Sequence, residues 1–294
     1  MLVYSLHLLR METLGQYIHF QEKIGDGSFG EVFLVETLKG EKRAIKVEKK
    51  GKRSRVQSEY QMYKILKDVD GIPKVYDFIQ TTEFNLMSME MLGLNLEEIF
   101  VKHDRRFMIP SILYLGREII KIIQSVHQNG IIHRDIKPHN FLVARKKKTK
   151  IMLTDFGLSR KYILDNGLHI PFRKRNSLVG TARYASINLH NGNEASRRDD
   201  LESIGYMLIY FMKGRLPWQG VKINEDDPFL TSIGDAKTKY VPNLCDSLPS
   251  CFKCYIAYCR SLKFDDEPNY DYLSYLFTSE LSYYRFKRPN WSSK

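Results

Sequence analysis

Cysteines and long apolar runs are scarce in this 294-residue sequence, and their scarcity excludes whole classes of protein. The four cysteines all lie between Cys245 and Cys259, a distribution that does not suit a disulfide framework and favours a reducing compartment. No apolar run approaches the ~20 residues that span a bilayer. No small-residue cleavage site follows the short apolar start, Met1–Leu9. We therefore expect a protein that acts away from membranes, in the cytoplasm, the nucleus or both.

The sequence also lacks the ligand spacing of a zinc site. Cys251 and Cys254 form one C-x-x-C, but neither a second pair nor a His-x-x-His lies nearby. The spacing from Cys251 to Cys259 fits a helix, so we predict buried thiols rather than metal ligands.

Acidic residues are outnumbered, since 34 Asp and Glu stand against 46 Lys and Arg, for a net charge of +12. This balance predicts acidic partners, such as nucleotide phosphates, acidic or phosphorylated proteins, or nucleic acid. Two basic runs, Lys49–Arg55 and Arg145–Lys150, are interpreted as solvated loops. The alternative for the first is a landing surface for an acidic substrate, and for the second a nuclear or nucleic-acid contact. Because no recognised nucleic-acid-binding module is present, we do not expect nucleic acid as a partner.

The segment from Ile132 to Asn140 reads I-H-R-D-I-K-P-H-N and places three complementary groups on one short loop. The carboxylate of Asp135 can accept a hydroxyl proton, the ammonium of Lys137 can neutralise a phosphate, and the amide oxygen of Asn140 can bind a hard cation. This set suits phosphoryl transfer from a nucleotide, where catalysis consists mostly of positioning and charge stabilisation. His133 is interpreted as a residue that braces the loop backbone, not as a base.

A glycine-rich segment lies upstream, where Ile24 to Val35 reads I-G-D-G-S-F-G-E-V-F-L-V. Gly25, Gly27 and Gly30 allow backbone amides to approach phosphate oxygens without a Cβ clash. The rival interpretation, a dinucleotide-binding fingerprint, requires a helix directly after the glycines. Residues typical of a strand follow instead, so the sequence predicts a strand, a tight turn and a second strand.

A lysine and a glutamate are predicted to form an ion pair beside this hairpin. Lys46 lies among apolar residues on a strand, Arg43–Val47, and Glu59 lies beside the apolar stripe of a helix over Ser54–Lys67. The expected role of Lys46 is to bind nucleotide phosphates, with Glu59 holding it in place. The alternatives are an edge-strand lysine and a surface glutamate that both point to water.

Further elements follow in order along the chain. The pattern predicts strands over Lys74–Ile79 and Phe84–Met91, a helix over Ser111–Gln128, and short strands at Phe141–Val143 and Ile151–Leu153. The backbone of Glu90 to Leu92, with Met89 beside it, is predicted to bind an adenine base in an apolar slot. Asp155, in Asp155-Phe156-Gly157, is predicted to bind Mg²⁺.

The second half of the chain contains an irregular segment and a buried helix. We expect Arg160–Ser177 to lack regular structure. Leu201–Lys213 is apolar almost all round and is predicted to be an interior helix. Asp200, just before it, is placed to hold backbone amides of the loop that carries Asp135.

Two motifs give a family resemblance. G-T-A-R-Y-A-S-I-N, from Gly180 to Asn188, and L-P-W-Q-G, from Leu216 to Gly220, resemble the casein kinase 1 family of Ser/Thr protein kinases. Most protein kinases carry A-P-E where this chain has Ser186-Ile187-Asn188, and that departure is typical of casein kinase 1. The resemblance extends over about Tyr17 to Leu281.

The resemblance implies an α+β, bilobal protein-kinase fold that uses ATP and Mg²⁺. Its parts would be an N-terminal extension (1–16), with Met11 as an alternative start, an antiparallel-sheet N-lobe with one main helix (17–92), a mostly helical C-lobe (93–285) and a short tail (286–294). It implies catalytic roles for Asp135, Lys137, Lys46 and Glu59, and metal binding by Asn140 and Asp155. The implied nucleotide-binding residues are Ile24, Gly25, Gly27, Gly30, Val32, Ala44, Lys46, Met89, Glu90 and Leu92.

The resemblance further implies acidic or already phosphorylated protein substrates and a monomer that is active without phosphorylation of its activation segment. Arg183, Gln219 and Gly220 match the family's substrate anion site. The chain departs from the family after Lys222, where Asn224-Glu225-Asp226-Asp227 replaces a lysine-rich run. The family's long regulatory tail is also missing, so autoinhibition by a tail is not expected. The rival interpretations are a catalytically inactive scaffold, a nucleic-acid-binding protein and, within kinases, the vaccinia-related branch.

Overall fold

The structure, a computed structural model, describes residues 17–27, 30–51, 54–224 and 226–293. The chain divides into two compact units. The first comprises the described residues up to Asp68, Ile72–Gly93 and Thr154–Gly157, and the second comprises the remainder. The predicted extension 1–16 with Met11, part of the first basic run (Lys52 and Arg53) and Glu225 lie outside the described residues.

The first unit is built on a five-stranded antiparallel sheet in the order β1-β2-β3-β5-β4. Its strands are β1 (Tyr17–Gly27), β2 (Gly30–Thr37), β3 (Lys42–Lys49), β4 (Val75–Gln80) and β5 (Phe84–Glu90). Short connections join each of the pairs β1-β2, β2-β3 and β4-β5, as antiparallel neighbours allow. The two strands predicted for the glycine-rich segment are confirmed and pair antiparallel, and the predicted turn between them, at Ser28 and Phe29, lies outside the described residues.

The apolar side chains on one face of this sheet form a core, because successive side chains along each strand point to opposite faces. Its buried members are Phe33, Val35, Ile45, Val47, Phe84 and Leu86, with Ile79 packed against them. Helix α1 (Arg55–Ile65) packs on β3, β4 and β5. The hydroxyl of Ser54 caps this helix by accepting a hydrogen bond from the backbone N–H of Gln57 at 3.1 Å.

The second unit is mostly helical. Its helices are α2 (Leu96–Lys102), α3 (Ile109–Gln128), α4 (Ile187–His190), α5 (Arg197–Lys213), α6 (Thr231–Tyr240), α7 (Ser250–Ser261) and α8 (Tyr270–Leu281). Helix α3 is strongly amphipathic and packs against α5 and α8. Helix α5 is buried over most of its length, so the predicted interior helix is confirmed. The unit is therefore organised around these two central helices.

Short strands also lie in the second unit. β7 (Phe141–Val143) pairs with β8 (Ile151–Leu153), as predicted, and β6 (Ile131–Ile132) pairs with β9 (Arg160–Lys161). The expectation that Arg160–Ser177 lacks regular structure was therefore wrong at its start, because β6 supplies a partner that is distant in sequence. An isolated bridge between Ile163 and His169 adds further order.

Three other expectations need correction. Helix α3 begins at Ile109 rather than Ser111, because Pro110 is tolerated in a first helical turn. Helix α5 begins at Arg197 rather than Leu201, since its first turn consists of charged residues that resemble a loop in sequence. Among the cysteines, Cys245, Cys251 and Cys259 are buried, whereas Cys254 is exposed, because it lies on the outer side of α7.

The α+β fold, with an antiparallel-sheet unit and a helical unit, is confirmed. Every helix in the described part of the chain is too short or too polar to cross a membrane. Within the same residues, no three His, Cys, Asp or Glu side chains cluster as a metal site would require.

Candidate active site

A buried charge cluster lies in the first unit. The ammonium of Lys46, on β3, donates to Glu59 Oε2 at 2.6 Å and to Asp155 Oδ1 at 3.1 Å. Lys46 and Glu59 are only 4% and 1% exposed, so the predicted ion pair is present and shielded from water. Burial alone would lower the pKa of Lys46, but the two carboxylates outweigh it and raise that pKa above its ordinary value. Lys46 is therefore a fixed positive charge.

Asp155 is held in an unusual backbone conformation beside Lys46. Its φ is +63°, in the left-handed region that few residues other than glycine adopt. Its backbone N–H donates to the Tyr63 hydroxyl at 3.1 Å, and the ring of Tyr63 packs edge-on against Phe156. Strain of this kind persists only where the surroundings impose it, and it often marks a functional position.

The sheet places several predicted nucleotide-binding residues on one face with Lys46. Val32 pairs with Lys46 across β2 and β3, and Ala44 pairs with Met89 across β3 and β5. Ala44 lies two residues from Lys46, so all four side chains share a face. Gly25 pairs with Val32 at the edge of the same surface.

The glycines of β1 and β2 have different surroundings. A Cβ on Gly25 would meet no atom of the described residues within 4 Å, so packing among those residues does not explain the absence of a side chain there. A Cβ on Gly30 would lie 2.3 Å from the carbonyl oxygen of Val47, so Gly30 is needed for the close approach of β3. Gly27 lies at the end of β1. Among the described residues, Gly25 therefore leaves open space that a phosphate group can occupy.

The remaining predicted nucleotide-binding residues lie at the ends of strands or just beyond them. Ile24 is 40% exposed on β1, Glu90 ends β5 and is half-buried, and Leu92 is buried. The backbone N–H of Glu90 donates to the carbonyl of Lys74 at 2.8 Å.

A second cluster, in the second unit, surrounds Asp135. The Lys137 ammonium donates to Asp135 Oδ2 at 2.6 Å, and Thr181 donates to Oδ1 from its backbone N–H at 2.9 Å and from its hydroxyl at 2.7 Å. Asn140 donates to the backbone carbonyl of Asp135 at 2.8 Å. The carboxylate is 4% exposed and therefore has a fixed orientation. The three predicted loop residues are brought together.

Helix α5 fixes the backbone of the loop that carries Asp135, through the side chain of Asp200. Asp200 accepts hydrogen bonds from the backbone N–H groups of His133 and Arg134, both at 2.8 Å, so its predicted structural role is confirmed. His127, on α3, also hydrogen bonds Asp200, at 2.9 Å. His133 is buried, and its Nδ1 accepts from the Asp135 N–H at 3.3 Å, as expected of a brace.

The segment after Gly180 passes very close to this loop. Gly180 has φ +89°, and a Cβ there would lie 2.3 Å from the carbonyl oxygen of Arg134. Only glycine permits this approach, which brings Thr181 into contact with Asp135.

A lysine–glutamate–aspartate cluster beside a glycine hairpin, and a separate loop with Asp, Lys and Asn, are the parts of a phosphotransferase. The family model of the protein kinase domain matches residues 18–251, more than three quarters of the chain. The chain belongs to the protein kinase family. It is therefore a phosphotransferase that acts on proteins.

Kinases of this family generally use ATP and Mg²⁺, and the residues present fit both. The open space at Gly25 and the fixed charge of Lys46 suit a nucleotide phosphate. Asn140, in the second unit, and Asp155, in the first, each carry an oxygen donor of the kind that suits a hard cation, and Mg²⁺ is commonly bound by one or two protein groups together with substrate phosphates. Such a site requires no larger carboxylate cluster in the kinase itself.

The predicted substrate anion residues of this kinase lie on two segments that touch. The indole N–H of Trp218 donates to the carbonyl of Arg183 at 2.8 Å, and Gln219 and Gly220 follow directly. Gln219 uses its side-chain oxygen to accept from the N–H of Leu216 at 2.6 Å. Gly220 is exposed with φ +87°. In the segment that replaces the basic run, Asp227 accepts hydrogen bonds from the backbone N–H and the hydroxyl of Thr231, the first residue of helix α6.

Sequence reasoning missed a cluster of arginines in the kinase. Glu194 is buried and accepts from Arg160 at 2.9 Å, Arg173 at 2.6 Å and Arg175 at 2.9 Å. Burial would raise the pKa of Glu194, but the hydrogen bonds from Arg173 and Arg175 lower it to about 2. Nothing in the sequence marked Glu194 as the partner of these arginines. The side chains of Arg160, Arg173 and Arg175 therefore form ion pairs within the protein.

Thr181 and Lys237 were also missed. Thr181 stands inside a recognised motif, but no role was assigned to it, although its position one residue after Gly180 was a usable signal. Lys237 is 0% exposed, but it lies in a polar stretch of sequence, where no periodic pattern of apolar residues indicates that it is buried.

Proposed function

We propose that this kinase is a Ser/Thr protein kinase of the casein kinase 1 type, which transfers the γ-phosphate of ATP to serine or threonine in acidic or phosphorylated proteins. The observation that carries the proposal is the Asp135 cluster, in which Lys137 and Thr181 fix both carboxylate oxygens. The motifs from Gly180 to Asn188 and from Leu216 to Gly220 support the casein kinase 1 type.

In this mechanism Asp135 orients the substrate hydroxyl and accepts its proton as the oxygen attacks the γ-phosphorus, while the bond from that phosphorus to the bridging oxygen breaks and ADP leaves. Lys137, 2.6 Å from Asp135, stabilises charge on the transferred phosphoryl group. Lys46 stabilises charge on the nucleotide phosphates, and Glu59 keeps Lys46 in place. Asn140 and Asp155 are the proposed ligands of Mg²⁺, which when bound neutralises phosphate charge.

The proposed substrate preference rests on the positive charge around Arg183. Its guanidinium has no carboxylate within 4 Å among the residues that the structure describes, and it lies about 6 Å from the ring centres of Tyr184 and Tyr210. It therefore keeps its charge for an incoming anion. Asp226 is exposed in place of the family's basic run, which weakens the attraction for a doubly charged phosphate relative to a carboxylate.

The deciding experiment measures phosphate transfer from ATP to matched peptides. One serine peptide carries phosphoserine three residues upstream, a second carries an acidic run there, a third is neutral, and a fourth replaces the acceptor serine with tyrosine. We expect transfer to the first two serine peptides and none to the tyrosine peptide. Preferential use of the tyrosine peptide would contradict the proposal.

Two variants locate the activity in the proposed groups. Asp135→Asn should remove most turnover while leaving nucleotide binding within about twofold, because the carboxylate acts in the transition state. Arg183→Met should lower kcat/KM for the phosphorylated and acidic peptides about tenfold, as the loss of one charge-assisted contact predicts. Arg215→Met, at an exposed position near the same turn, is the matched control and should change neither value.

A further inference from the structure

A buried lysine lies beneath the segment that contacts Asp135. Lys237, on helix α6, is 0% exposed. Its ammonium donates to the backbone carbonyls of Ala182, at 2.7 Å, and Ala185, and to His190 Nε2 at 3.2 Å. No carboxylate among the described residues forms a salt bridge with it. A buried charge without a carboxylate partner is expensive, so this arrangement calls for an explanation.

The tautomer of His190 gives each of the three N–H groups of the Lys237 ammonium an acceptor. His190 Nδ1 lies 2.8 Å from the carbonyl of Phe229 and donates to it, which leaves Nε2 as an acceptor. Burial, together with the neighbouring Lys237, lowers the pKa of His190 to about 4, so the ring is neutral at pH 7. A protonated lysine has three N–H donors, and here they meet three acceptors. A neutral amine has only two donors and must lose one contact.

The carbonyls that Lys237 holds belong to the segment from Thr181 to Ala185. Thr181 fixes Asp135 through two hydrogen bonds, and Arg183 is the proposed substrate anion residue. Trp218 holds the carbonyl of Arg183 at 2.8 Å. Lys237 and Trp218 thus fix three backbone carbonyls within four residues, and the segment cannot shift without breaking these bonds.

We propose that Lys237 is a positioning residue for substrate recognition, whose ammonium holds the Thr181–Ala185 segment in the conformation that binds the protein substrate. The inference rests on the proposed function only in taking this segment as part of the substrate site. It assigns to helix α6 a role that its sequence does not suggest.

The proton on Lys237 is expected to leave within the physiological range, because burial lowers the pKa of Lys237 to about 7. Glu202, on α5, opposes this shift through its negative charge, although Arg260 of α7 lies 3.4 Å from the same carboxylate. The faces of Tyr206 and Trp218, 5.2 and 5.3 Å from the ammonium, also favour the charged form.

Other titrating and charged groups border the segment. His190 titrates near pH 4. Burial raises the pKa of Asp199 to about 6, and Asp199 accepts a hydrogen bond from Ser186 at 2.5 Å. On α6 itself, Asp235 and Lys239 are exposed. Among these groups, Lys237 contacts the segment directly and titrates near pH 7.

The first test compares Lys237→Met with Lys239→Met, an exposed lysine on the same helix. With the best serine peptide, we expect Lys237→Met to raise the KM for peptide about tenfold, the loss that one charged hydrogen bond predicts. Its KM for ATP should stay within twofold, and kcat should fall less than the KM for peptide rises. Lys239→Met should match the wild type. An unchanged KM for peptide in a folded Lys237→Met enzyme would overturn the inference.

The second test uses pH and remains informative if Lys237→Met does not fold. In the wild type, the KM for peptide should rise between pH 6.5 and 8.5 as the third contact is lost. Lys237→Arg keeps a charge and its N–H donors throughout this pH range. It should therefore restore part of the peptide affinity that Lys237→Met loses, and its KM for peptide should not change with pH, although Asp199 and His190 are unchanged. A wild-type KM that is constant over this range contradicts the inference. A wild type that phosphorylates no peptide contradicts the proposed function instead.

Discussion

Lys46 and Lys237 are both buried lysines, 4% and 0% exposed, but their surroundings affect the charge in opposite ways. Lys46 contacts two carboxylates, and its pKa is raised. Lys237 contacts two carbonyls and an imidazole, and its pKa is lowered to about 7. Equal burial imposes a similar desolvation penalty on both, so the identity of the partners decides the outcome.

The two arrangements suit different tasks. A lysine that must attract phosphate needs a permanent charge, and the carboxylates around Lys46 provide it. A lysine that holds backbone carbonyls needs donors rather than net charge, and neutral acceptors around Lys237 suffice. The difference predicts that the first lysine governs chemistry and that the second governs the conformation of one segment.

The largest effect is expected at Lys46. Lys46→Met should lower kcat/KM by about 10²–10³, because it removes a preorganised charge from the reacting phosphates. Lys42→Met, at an exposed position on the same strand, should leave activity unchanged. Steady-state phosphate transfer with a serine peptide measures both. Equal losses in the two variants would show that Lys46 has no special role.

Glu59→Gln should have the next largest effect, on stability. The substitution keeps the shape of the side chain but leaves the Lys46 ammonium with Asp155 as its remaining carboxylate. Breaking a buried ion pair by removing one partner costs about 3 kcal/mol. Urea denaturation should detect this decrease as a lower free energy of unfolding. Gln61→Ala, at an exposed position of α1, should stay within about 0.5 kcal/mol of the wild type.

The pH dependence of stability should separate the two lysines. The folded pKa of Lys237, about 7, lies below its ordinary value of 10.5. The unfolded chain therefore binds more protons between these values, and stability rises with pH in this window. From pH 7 to 9 the wild type should gain about 2 kcal/mol that Lys237→Met does not.

For Lys46 the sign is reversed. Its folded pKa is raised above 10.5, so its contribution is present below 10.5 and is lost only above that pH. Lys46→Met should therefore follow the wild-type slope between pH 7 and 9. Unfolding curves at several pH values test both statements. If the free energy of unfolding of Lys237→Met rose with pH as steeply as that of the wild type, the contrast between Lys46 and Lys237 would have no basis.

The contrast also shows how far the sequence predicts this molecule. Lys46 and Glu59 were predictable, because a strand pattern around one and a helical stripe beside the other gave both their elements and their faces. Hairpins and amphipathic helices were predicted for the same reason, since periodicity records burial on one side. The pairing of β6 with β9 was not, because two-residue strands carry too few side chains for a pattern.

Lys237 could not have been predicted from its neighbours. Its helix is polar and short, and its hydrogen-bond partners Ala182, Ala185 and His190 lie about 50 residues earlier in the chain. The contact of Thr181 with Asp135 depends likewise on the backbone conformation of Gly180, which a sequence pattern does not show. Long-range contacts to backbone carbonyls are therefore the part of the site that required the structure.

The smallest expected effect concerns the rings that face Lys237. Trp218→Phe keeps an aromatic face but weakens the attraction for the ammonium, 5.3 Å away, so the pKa of Lys237 should fall by less than about one unit. The ¹³Cε chemical shift of Lys237 against pH, identified by its absence in Lys237→Met, measures this change. Trp291→Phe is the matched control, because Trp291 packs on Phe107 and should leave the titration unchanged. A fall of several units would mean that the ring faces, rather than the three hydrogen bonds, keep Lys237 charged. No shift would show that Trp218 favours the charged form of Lys237 no more than a phenyl ring would, and would leave the carbonyls, His190, Glu202 and the ring of Tyr206 as the groups that keep Lys237 charged.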